Sequence, residues 1–307
     1  MSPIKSDLEN TFKSKETEEF LDIIFYRPFG YFIALAAKKA GLTPNVVTIS
    51  GVLLGIVAGH LFYYNNMSLN IAGIVLVILS QAFDSADGQL ARMTQKFSRF
   101  GRILDGFGDN LTFLSIYLHI CFRLMNEGFS PAIFILAVAA GLSHSCQSAL
   151  GDYGRNLFTY FSHGKSKSEI EDSERVAGDY GSLSWKSNFF KKLMMRFYLN
   201  YTVQQEFLSG SLIKLYRYSS KKFGQDIPQA VSEIYRQKQQ VMIKYYNILT
   251  TNTRLFVLFI VVLAGYPWLY FVFELTIMNL LLLYVALRHK GNGAEIMNTA
   301  VKIEGIV

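Results

Sequence analysis

Residues 84–109 read DSADGQLARMTQKFSRFGRILDGFGD, and this stretch places four carboxylates between two long apolar runs. They are Asp84, Asp87, Asp105 and Asp109, at successive spacings of 3, 18 and 4 residues. An ionised carboxylate at the centre of a bilayer costs roughly 3 kcal/mol or more, so such groups normally face a protein interior or a cavity and have a function. The stretch therefore indicates a functional site among membrane-spanning helices.

The composition of the chain supports a membrane protein. Of its 307 residues 51% are hydrophobic, and several apolar runs carry few or no charges. Soluble domains rarely combine these properties, so we predict an all-α, multi-pass integral membrane protein. Cys121 and Cys146 both lie inside apolar runs, and they predict neither a disulfide nor a thiolate metal site.

Hydropathy predicts a six-span transmembrane helical bundle. The fifth span is shorter than the ~20 residues that a bilayer needs, and the fourth should continue as a helix towards Phe161. The spans cover about 43–64, 69–89, 103–125, 131–150, 255–266 and 268–287.

Basic residues alternate between the connections of this bundle. Lys and Arg occur before span 1, between spans 2 and 3, between spans 4 and 5, and after span 6. The opposite connections, 65–68, 126–130 and 265–267, hold neither residue. By the positive-inside rule, both termini are predicted to be cytoplasmic, in a cytoplasmic (inner) membrane.

The same pattern predicts six segments along the chain. They are a polar N-terminal tail 1–16, a juxtamembrane amphipathic helix 17–40, a transmembrane core 41–162 with spans 1 to 4, a helical cytoplasmic insertion 163–250, spans 5 and 6 at 251–290, and a C-terminal tail 291–307.

The insertion itself has three predicted parts. We expect a loop at 163–179, helical structure over 185–222, and a long polar helix at 228–251 that runs towards span 5. The mixture of aromatic and basic residues over 185–222 favours an anionic lipid surface over nucleic acid as the partner.

The spacing of the four carboxylates predicts one shared site. Asp84 and Asp87 share a face of one helix, and Asp105 and Asp109 share a face of the next. If the two helices pack side by side and antiparallel, the four groups meet, and their repulsion requires either protonation or a cation. Hard oxygen ligands favour Mg²⁺, Mn²⁺ or Ca²⁺ over Zn²⁺, and four carboxylates suffice for two ions about 4 Å apart, which suits phosphoryl transfer. A structural carboxylate network and an ion pathway remain alternatives.

The whole motif resembles the signature of the CDP-alcohol phosphotransferase family, which is D-x2-D-G-x2-A-R, eight residues, G-x3-D-x3-D. The resemblance covers about 38–145, and Leu-Thr-Pro-Asn at 42–45 is a common opening of span 1 in that family. The chain matches the fixed positions with Asp84, Asp87, Gly88, Ala91, Arg92, Gly101, Asp105 and Asp109.

The resemblance implies a phosphatidyltransferase that uses CDP-diacylglycerol and two divalent cations, Mg²⁺ or Mn²⁺. Asp84, Asp87 and Asp105 would be the main metal ligands, while Asp109 would complete the site and act as the general base that activates an acceptor hydroxyl before CMP leaves. The residues expected to bind CDP are Asp87, Gly88, Ala91, Arg92, Gly101, Asn45 and Thr48. The family also implies a homodimer among membrane lipids.

The resemblance implies that the acceptor would be a small polar alcohol, phosphorylated or not, and its site is predicted from charge and spacing. A phosphorylated acceptor needs cationic partners, preferably arginine. Span 4 is unusually polar, and its polar groups either line a cavity or hold helices together. The candidate acceptor residues are Arg99, Arg102, Ser148, Asp152 and Arg155.

Among the branches of the family that the motif resembles, one that uses inositol phosphate or inositol fits this polar, arginine-ended span 4 best, and glycerol 3-phosphate and serine stay open. Two other classes of function compete with the enzyme. A divalent-cation transporter or channel predicts flux without CMP, and a scaffold predicts that Asp109→Asn leaves function intact.

Overall fold

The computed structural model describes residues 16–164, 168–224 and 227–304. Most of these residues are helical and none of them lies in a strand, so the all-α prediction is confirmed over the described part of the chain. The polar tail predicted for 1–16 lies outside the described residues except for Glu16.

The helices follow one another with short connections. A π-helical turn, Asp22–Tyr26, precedes α1, and a 3-10 turn, Gln240–Met242, separates α9 from α10. In chain order the helices are α1 (Arg27–Lys39), α2 (Pro44–Leu61), α3 (Met67–Thr94), α4 (Arg99–Asn126), α5 (Ile133–His163), α6 (Ser173–Ser182), α7 (Phe189–Ser209), α8 (Ser211–Lys222), α9 (Gln229–Gln239), α10 (Ile243–Ile248), α11 (Thr251–Leu263), α12 (Leu269–Leu275) and α13 (Ile277–Glu304).

Five helical stretches of the described chain have the length and apolar composition needed to cross a membrane, which supports a membrane-embedded protein. They are Pro44–Leu61, Met67–Thr94, Ile133–His163, Gln229–Leu263 and Leu269–Lys302. The predicted third span lies in α4, which is not among the five because Asp105, Asp109 and Arg123 interrupt its apolar sequence. The count of six spans therefore stays a prediction.

The structure differs from the sequence prediction at one loop. Helix α6 begins at Ser173, inside the loop predicted for 163–179. The side chain of Asp172 accepts a hydrogen bond of 2.9 Å from the backbone N–H of Glu174 and so caps the helix. A residue of this type at an N-cap stabilises a helix by about 1 kcal/mol, and the polar composition of the segment hid that signal.

The described chain divides into two compact units. Unit 1 holds the residues up to Gly141 and the segment Leu255–Val272, and unit 2 holds Leu142–Arg254 and the residues from Phe273 onward. In unit 1, helix α2 packs against both α3 and α4, and α1 packs against α3.

Close helix packing in unit 1 depends on glycines of α2. A Cβ atom on Gly55 would lie 2.4 Å from Oγ1 of Thr112, and a Cβ on Gly59 would lie 2.5 Å from Oγ of Ser115. The Ser115 hydroxyl donates a hydrogen bond of 2.9 Å to the carbonyl of Ile56. Small residues at i and i+4 let two helix backbones approach closely inside a membrane, where water exclusion does not drive their association.

Helices α3 and α4 were expected to pack directly side by side. Instead each packs along α2, and the two approach each other far less closely than either approaches α2. The glycine face of α2 explains this difference because it makes α2 the helix that both neighbours can approach most closely. The predicted adjacency is therefore replaced by a three-helix arrangement with α2 in common.

Unit 2 has an aromatic core and a buried polar network. In the core, the rings of Phe161 and Tyr235 stack with their centroids 4.2 Å apart. In the network, Arg254 and Glu274, both fully buried, form an ion pair of 3.2 Å. Buried Gln147 receives a hydrogen bond of 2.9 Å from Arg254, and its own amide donates to the carbonyl of Glu274 at 2.9 Å.

Gly55→Ala should destabilise the protein. The added methyl group meets Thr112 at a distance that no Cβ tolerates, and overpacking of this kind typically costs about 1–3 kcal/mol. Gly291→Ala is the matched control, because a Cβ there meets nothing within 4 Å and alanine favours a helix by roughly 0.5–1 kcal/mol. Thermal unfolding in detergent should give a lower Tm for Gly55→Ala only. Equal Tm values for the two variants would contradict close packing at α2.

Arg254→Met should destabilise the protein strongly, because it leaves the Glu274 carboxylate buried without its partner. Breaking a buried pair in this way costs about 3–5 kcal/mol. The control is Lys238→Met, which removes a surface pair with Glu295 whose loss costs about 1 kcal/mol or less. Urea unfolding in detergent measures both, and the double variant Arg254→Met, Glu274→Leu should recover part of the loss. A single variant as stable as the surface control would rule out a structural role for the ion pair.

Candidate active site

Three of the four carboxylates converge in unit 1. Asp84 and Asp87 come from α3 and Asp105 comes from α4, and one oxygen of each lies within 4.8 Å of the others. Asp87 is buried, while Asp84 and Asp105 are half-buried. Asp109 lies one turn further along α4, is half-buried, and is near enough to Asp105 to interact with it electrostatically. It is not part of the group of three.

The donor set fits a divalent cation. Two oxygens that share one ion at about 2.4 Å each can be at most about 5 Å apart, and the three carboxylates meet that limit. All three are hard oxygen ligands, which suit Mg²⁺, Mn²⁺ or Ca²⁺. A cation would also offset the repulsion among three carboxylates held this closely in a partly buried place.

Thr48 connects α2 to the acidic group. Its hydroxyl donates a hydrogen bond to the carboxylate of Asp87, and both residues are buried. The sequence predicted Thr48 as a contact of the CDP group, and that role stays a prediction. In the structure, the Thr48 hydroxyl orients the carboxylate of Asp87 through this hydrogen bond.

Glycine at position 101 is explained by the contact between the starts of α2 and α4. Ser98 caps α4 by accepting a hydrogen bond of 2.9 Å from the N–H of Gly101. A Cβ on Gly101 would lie 2.9 Å from Oγ of Ser98 and 3.1 Å from Oδ1 of Asn45. A larger residue there would meet the oxygen that caps α4 and the side-chain amide of Asn45, so at least one of these side chains would have to move.

Arg92 lies over Gly88. A Cβ on Gly88 would be 3.3 Å from Nη2 of Arg92. Because glycine has no side chain, the Arg92 guanidinium can lie over this position on the same face of α3. Ala91, next to Arg92, is half-buried. These three positions follow the Asp84 and Asp87 pair in sequence, and their predicted contact with CDP stays a prediction.

The predicted acceptor residues fall into both units. Arg99 and Arg102 lie in the first turn of α4 in unit 1, with Arg99 half-buried and Arg102 exposed. Ser148, Asp152 and Arg155 lie on α5 in unit 2. Their role in acceptor binding stays a prediction.

Within unit 2, Asp152 is already engaged by protein groups. The Arg155 guanidinium pairs with it, and the Tyr201 hydroxyl of α7 donates a hydrogen bond to its other oxygen. Sequence reasoning missed Tyr201, because no local pattern connects residues 49 positions apart. Any acceptor that reached Asp152 would have to share it with this tyrosine.

The polar groups of α5 hold helices together at several positions, which resolves one of the alternatives left by the sequence. Ser145 donates a hydrogen bond of 2.9 Å to Gln204 of α7. Asn279 of α13 donates to Ser143 at 3.1 Å and accepts from Gln147 at 2.8 Å. These side chains are engaged in helix contacts.

Comparison with known proteins agrees with the motif. Residues 41–148 match the family model of the CDP-alcohol phosphatidyltransferases. The chain is 44% identical to an archaetidylinositol phosphate synthase of Pyrococcus horikoshii over 88 residues, which are 29% of this chain and 45% of that protein. It is 33% identical over 112 residues to a phosphatidylinositol phosphate synthase of Mycobacterium bovis, covering 35% of this chain and 51% of that protein.

A third relative is a phosphatidylinositol phosphate synthase of Mycobacteroides abscessus, 36% identical over 86 residues, which cover 26% of this chain and 35% of that protein. The chain thus spans about half or less of the length of these curated relatives. The match to the CDP-alcohol phosphatidyltransferase model is thus confined to residues 41–148, and the relatives named here are an archaetidylinositol phosphate synthase and two phosphatidylinositol phosphate synthases.

Thr48→Val should weaken divalent-cation binding. The valine keeps the shape of threonine but cannot donate a hydrogen bond to Asp87. Loss of a hydrogen bond to a metal ligand typically lowers the affinity for the metal by about 10- to 100-fold, and we expect a loss of that order for Mn²⁺. Thr48→Ser keeps the hydroxyl and should bind nearly as tightly as the parent. Mn²⁺ titration followed by electron paramagnetic resonance measures both. Equal Mn²⁺ affinity for the valine and serine variants would show that Thr48 does not position Asp87.

Proposed function

We propose that the protein is a membrane phosphatidyltransferase of phospholipid synthesis. It transfers a phosphatidyl group from CDP-diacylglycerol to a small polar alcohol and releases CMP. The observation that carries this proposal is the convergence of Asp84, Asp87 and Asp105, which all lie within the matched domain 41–148.

The carboxylates suit a diphosphate substrate only in company with cations, because acidic side chains by themselves repel it. We propose two divalent ions, Mg²⁺ or Mn²⁺, held by Asp84, Asp87 and Asp105 with Asp109 completing the set. Bound there, the ions would offset the charge of the diphosphate and of the departing CMP. Thr48 supports this arrangement by fixing one oxygen of Asp87.

Asp109 is proposed as the general base. It lies one turn beyond Asp105 on α4 and outside the group of three, so it is the carboxylate least committed to an ion. In the proposed step, Asp109 takes the proton of the acceptor hydroxyl while the acceptor oxygen bonds to the lipid-side phosphorus. The bond from that phosphorus to the bridging oxygen breaks, and its electron pair leaves with CMP.

The nucleotide end is proposed to lie against Gly88, Ala91 and Arg92. Gly88 presents no side chain, and the arginine beside it can bind a phosphate or orient the carboxylates as a planar donor. Asn45 and Gly101, which lie in contact, would bound the same space from the starts of α2 and α4.

Inositol phosphate is the proposed acceptor, with inositol as the second choice and glycerol 3-phosphate and serine behind it. The names of the relatives from Pyrococcus and Mycobacterium support this order. Arg99 and Arg102, about two turns and one turn before Asp105 on α4, are the cations in unit 1 proposed to meet an acceptor phosphate. Ser148, Asp152 and Arg155 are proposed to contribute polar groups to the acceptor.

The setting proposed for this chemistry is a cytoplasmic (inner) membrane with both termini in the cytoplasm. The distribution of Lys and Arg among the connections supports that orientation. A homodimer is proposed from the family resemblance.

Purified protein should release CMP from CDP-diacylglycerol when Mg²⁺ or Mn²⁺ and the correct alcohol are supplied together. The alcohols are tested singly, beginning with inositol phosphate. Asp109→Asn should lower the rate by about 10²- to 10⁴-fold, because the amide cannot take the proton. Glu233→Gln, an exposed carboxylate of α9, is the matched control and should leave the rate unchanged.

Two results would contradict the enzyme. CMP release that survives in Asp109→Asn would remove the proposed base. A folded protein that binds Mn²⁺, releases no CMP with any of the alcohols and conducts divalent cations in vesicles would favour the transporter instead.

A further inference from the structure

Helix α7 has one side packed on the protein and one side open. The packed side carries the buried residues Met194, Met195, Thr202 and Ser209. On the open side Phe190 is 77% exposed, Phe197 48% and Phe207 84%. Burying one such side chain is worth about 1.5–3 kcal/mol, so an exposed set on one helix indicates that something apolar covers it.

The exposed apolar residues of α7 all point the same way. At 100° per residue they fall within an arc of about 140°, and the buried residues lie on the opposite part of the helix circumference. We call this arc the aromatic side of α7; it consists of Phe189, Phe190, Phe197, Val203 and Phe207.

The exposed charge on α7 is positive. Lys191 and Arg196 are exposed, whereas the acidic residue of the helix, Glu206, is half-buried and bonded to Ser173 and to Arg217. Lys192 lies 4.8 Å above the ring of Tyr180, so a second basic residue is held at the same end of the helix. By the same helical geometry, Arg196 lies within the arc of the aromatic side, whereas Lys191 lies on the opposite part of the circumference in the first turn. Helix α7 therefore offers aromatic rings and positive charge without an exposed carboxylate.

Contacts with α5 set the position of α7. Gln204 of α7 is bonded to Ser145, and Tyr201 is bonded to Asp152. Helix α5 lies in a candidate membrane span, and Asp152 is its first Asp, Glu, Lys or Arg. Helix α7 thus contacts α5 at and just before the first charged residue of that helix, where a spanning helix is expected to leave the hydrocarbon region.

We propose that α7 is an interfacial membrane helix whose aromatic side lies among the headgroups and upper acyl chains of an anionic bilayer. Helices of this kind combine a polar face rich in Lys and Arg with an apolar face of aromatic residues, and they bind anionic lipid by both burial and charge. The proposal concerns residues outside the matched domain 41–148 and does not depend on the proposed enzyme activity.

Spin labelling tests the position of the helix in the full-length protein. Phe190→Cys and Phe207→Cys are made separately with Cys121 and Cys146 replaced by alanine, labelled with a nitroxide and reconstituted into vesicles containing phosphatidylglycerol. Leu142→Cys, on an exposed position of α5, is the lipid reference, and Lys221→Cys, exposed on α8, is the water reference. Power saturation gives the ratio of accessibility to oxygen over accessibility to a water-soluble nickel chelate.

The ratio at positions 190 and 207 should exceed that at position 221 several-fold and approach that at position 142. A ratio equal to that at 221 would place the aromatic side in water and overturn the proposal. Labels that are immobile and shielded from both reagents would show that protein, such as a second copy of the chain, covers this side, and would overturn it as well.

The contribution of charge is tested with the same ratio of oxygen accessibility to nickel-chelate accessibility. Lys191→Glu with Arg196→Glu, or vesicles of phosphatidylcholine alone, should lower the ratio at position 190 towards the water reference. A ratio at position 190 that neither change affects would overturn the anionic preference. Each variant is used only if it elutes as a monodisperse species in detergent, and the two label positions keep the test valid if one variant does not fold.

Discussion

The geometry of unit 1 depends on the close approach that α2 allows to its neighbours. Gly51, Gly55 and Gly59 present no side chain to α3 and α4, and a methyl group at Gly55 or Gly59 would overlap a hydroxyl-bearing residue of α4. Thr48 lies on the same face, one turn before Gly51, so the packing that brings the backbones together also brings the Thr48 hydroxyl onto Asp87. One constraint thus serves both the assembly of three helices and the orientation of a carboxylate in the candidate site.

The carboxylates of α3 and α4 meet because both helices pack against α2. Helices α3 and α4 make little direct contact along their length, yet Asp84, Asp87 and Asp105 bring ligand oxygens within 4.8 Å of one another. The starts of α2 and α4 approach each other at Asn45 and Gly101, at the same end of α4 as Asp105. Like charges held this closely are compatible with a folded protein when a cation or protons offset them.

Unit 2 solves a different problem, the stabilisation of polar groups inside apolar helices. Arg254 and Glu274 are fully buried, and besides their ion pair the Arg254 guanidinium donates hydrogen bonds to the side chain of Gln147 and to the backbone carbonyl of Leu249. Removing one member of such a network lowers the free energy of unfolding by more than the intact network adds to it. The network therefore determines which helices pack together more than it adds to stability. The polar stretch of α5 is largely explained by these contacts.

The sequence by itself determined the helical class, the apolar stretches and the identity of the acidic motif. These depend on local properties: hydropathy over about 20 residues, caps and prolines at helix starts, and the i, i+3 and i, i+4 spacing that puts carboxylates on one helix face. The start of α6 was missed, since the Asp172 cap is a single residue within a polar segment.

Only the tertiary structure decided which groups meet across the chain. The contact of Thr48 with Asp87, of Tyr201 with Asp152 and of Arg254 with Glu274 joins residues that are 39, 49 and 20 positions apart. It also decided that α2, and not a direct α3 and α4 contact, organises the acidic site. The physical reason is that helix packing depends on the shapes of whole helix faces. The sequence shows which residues lie on each face, but it does not show which two faces pack together.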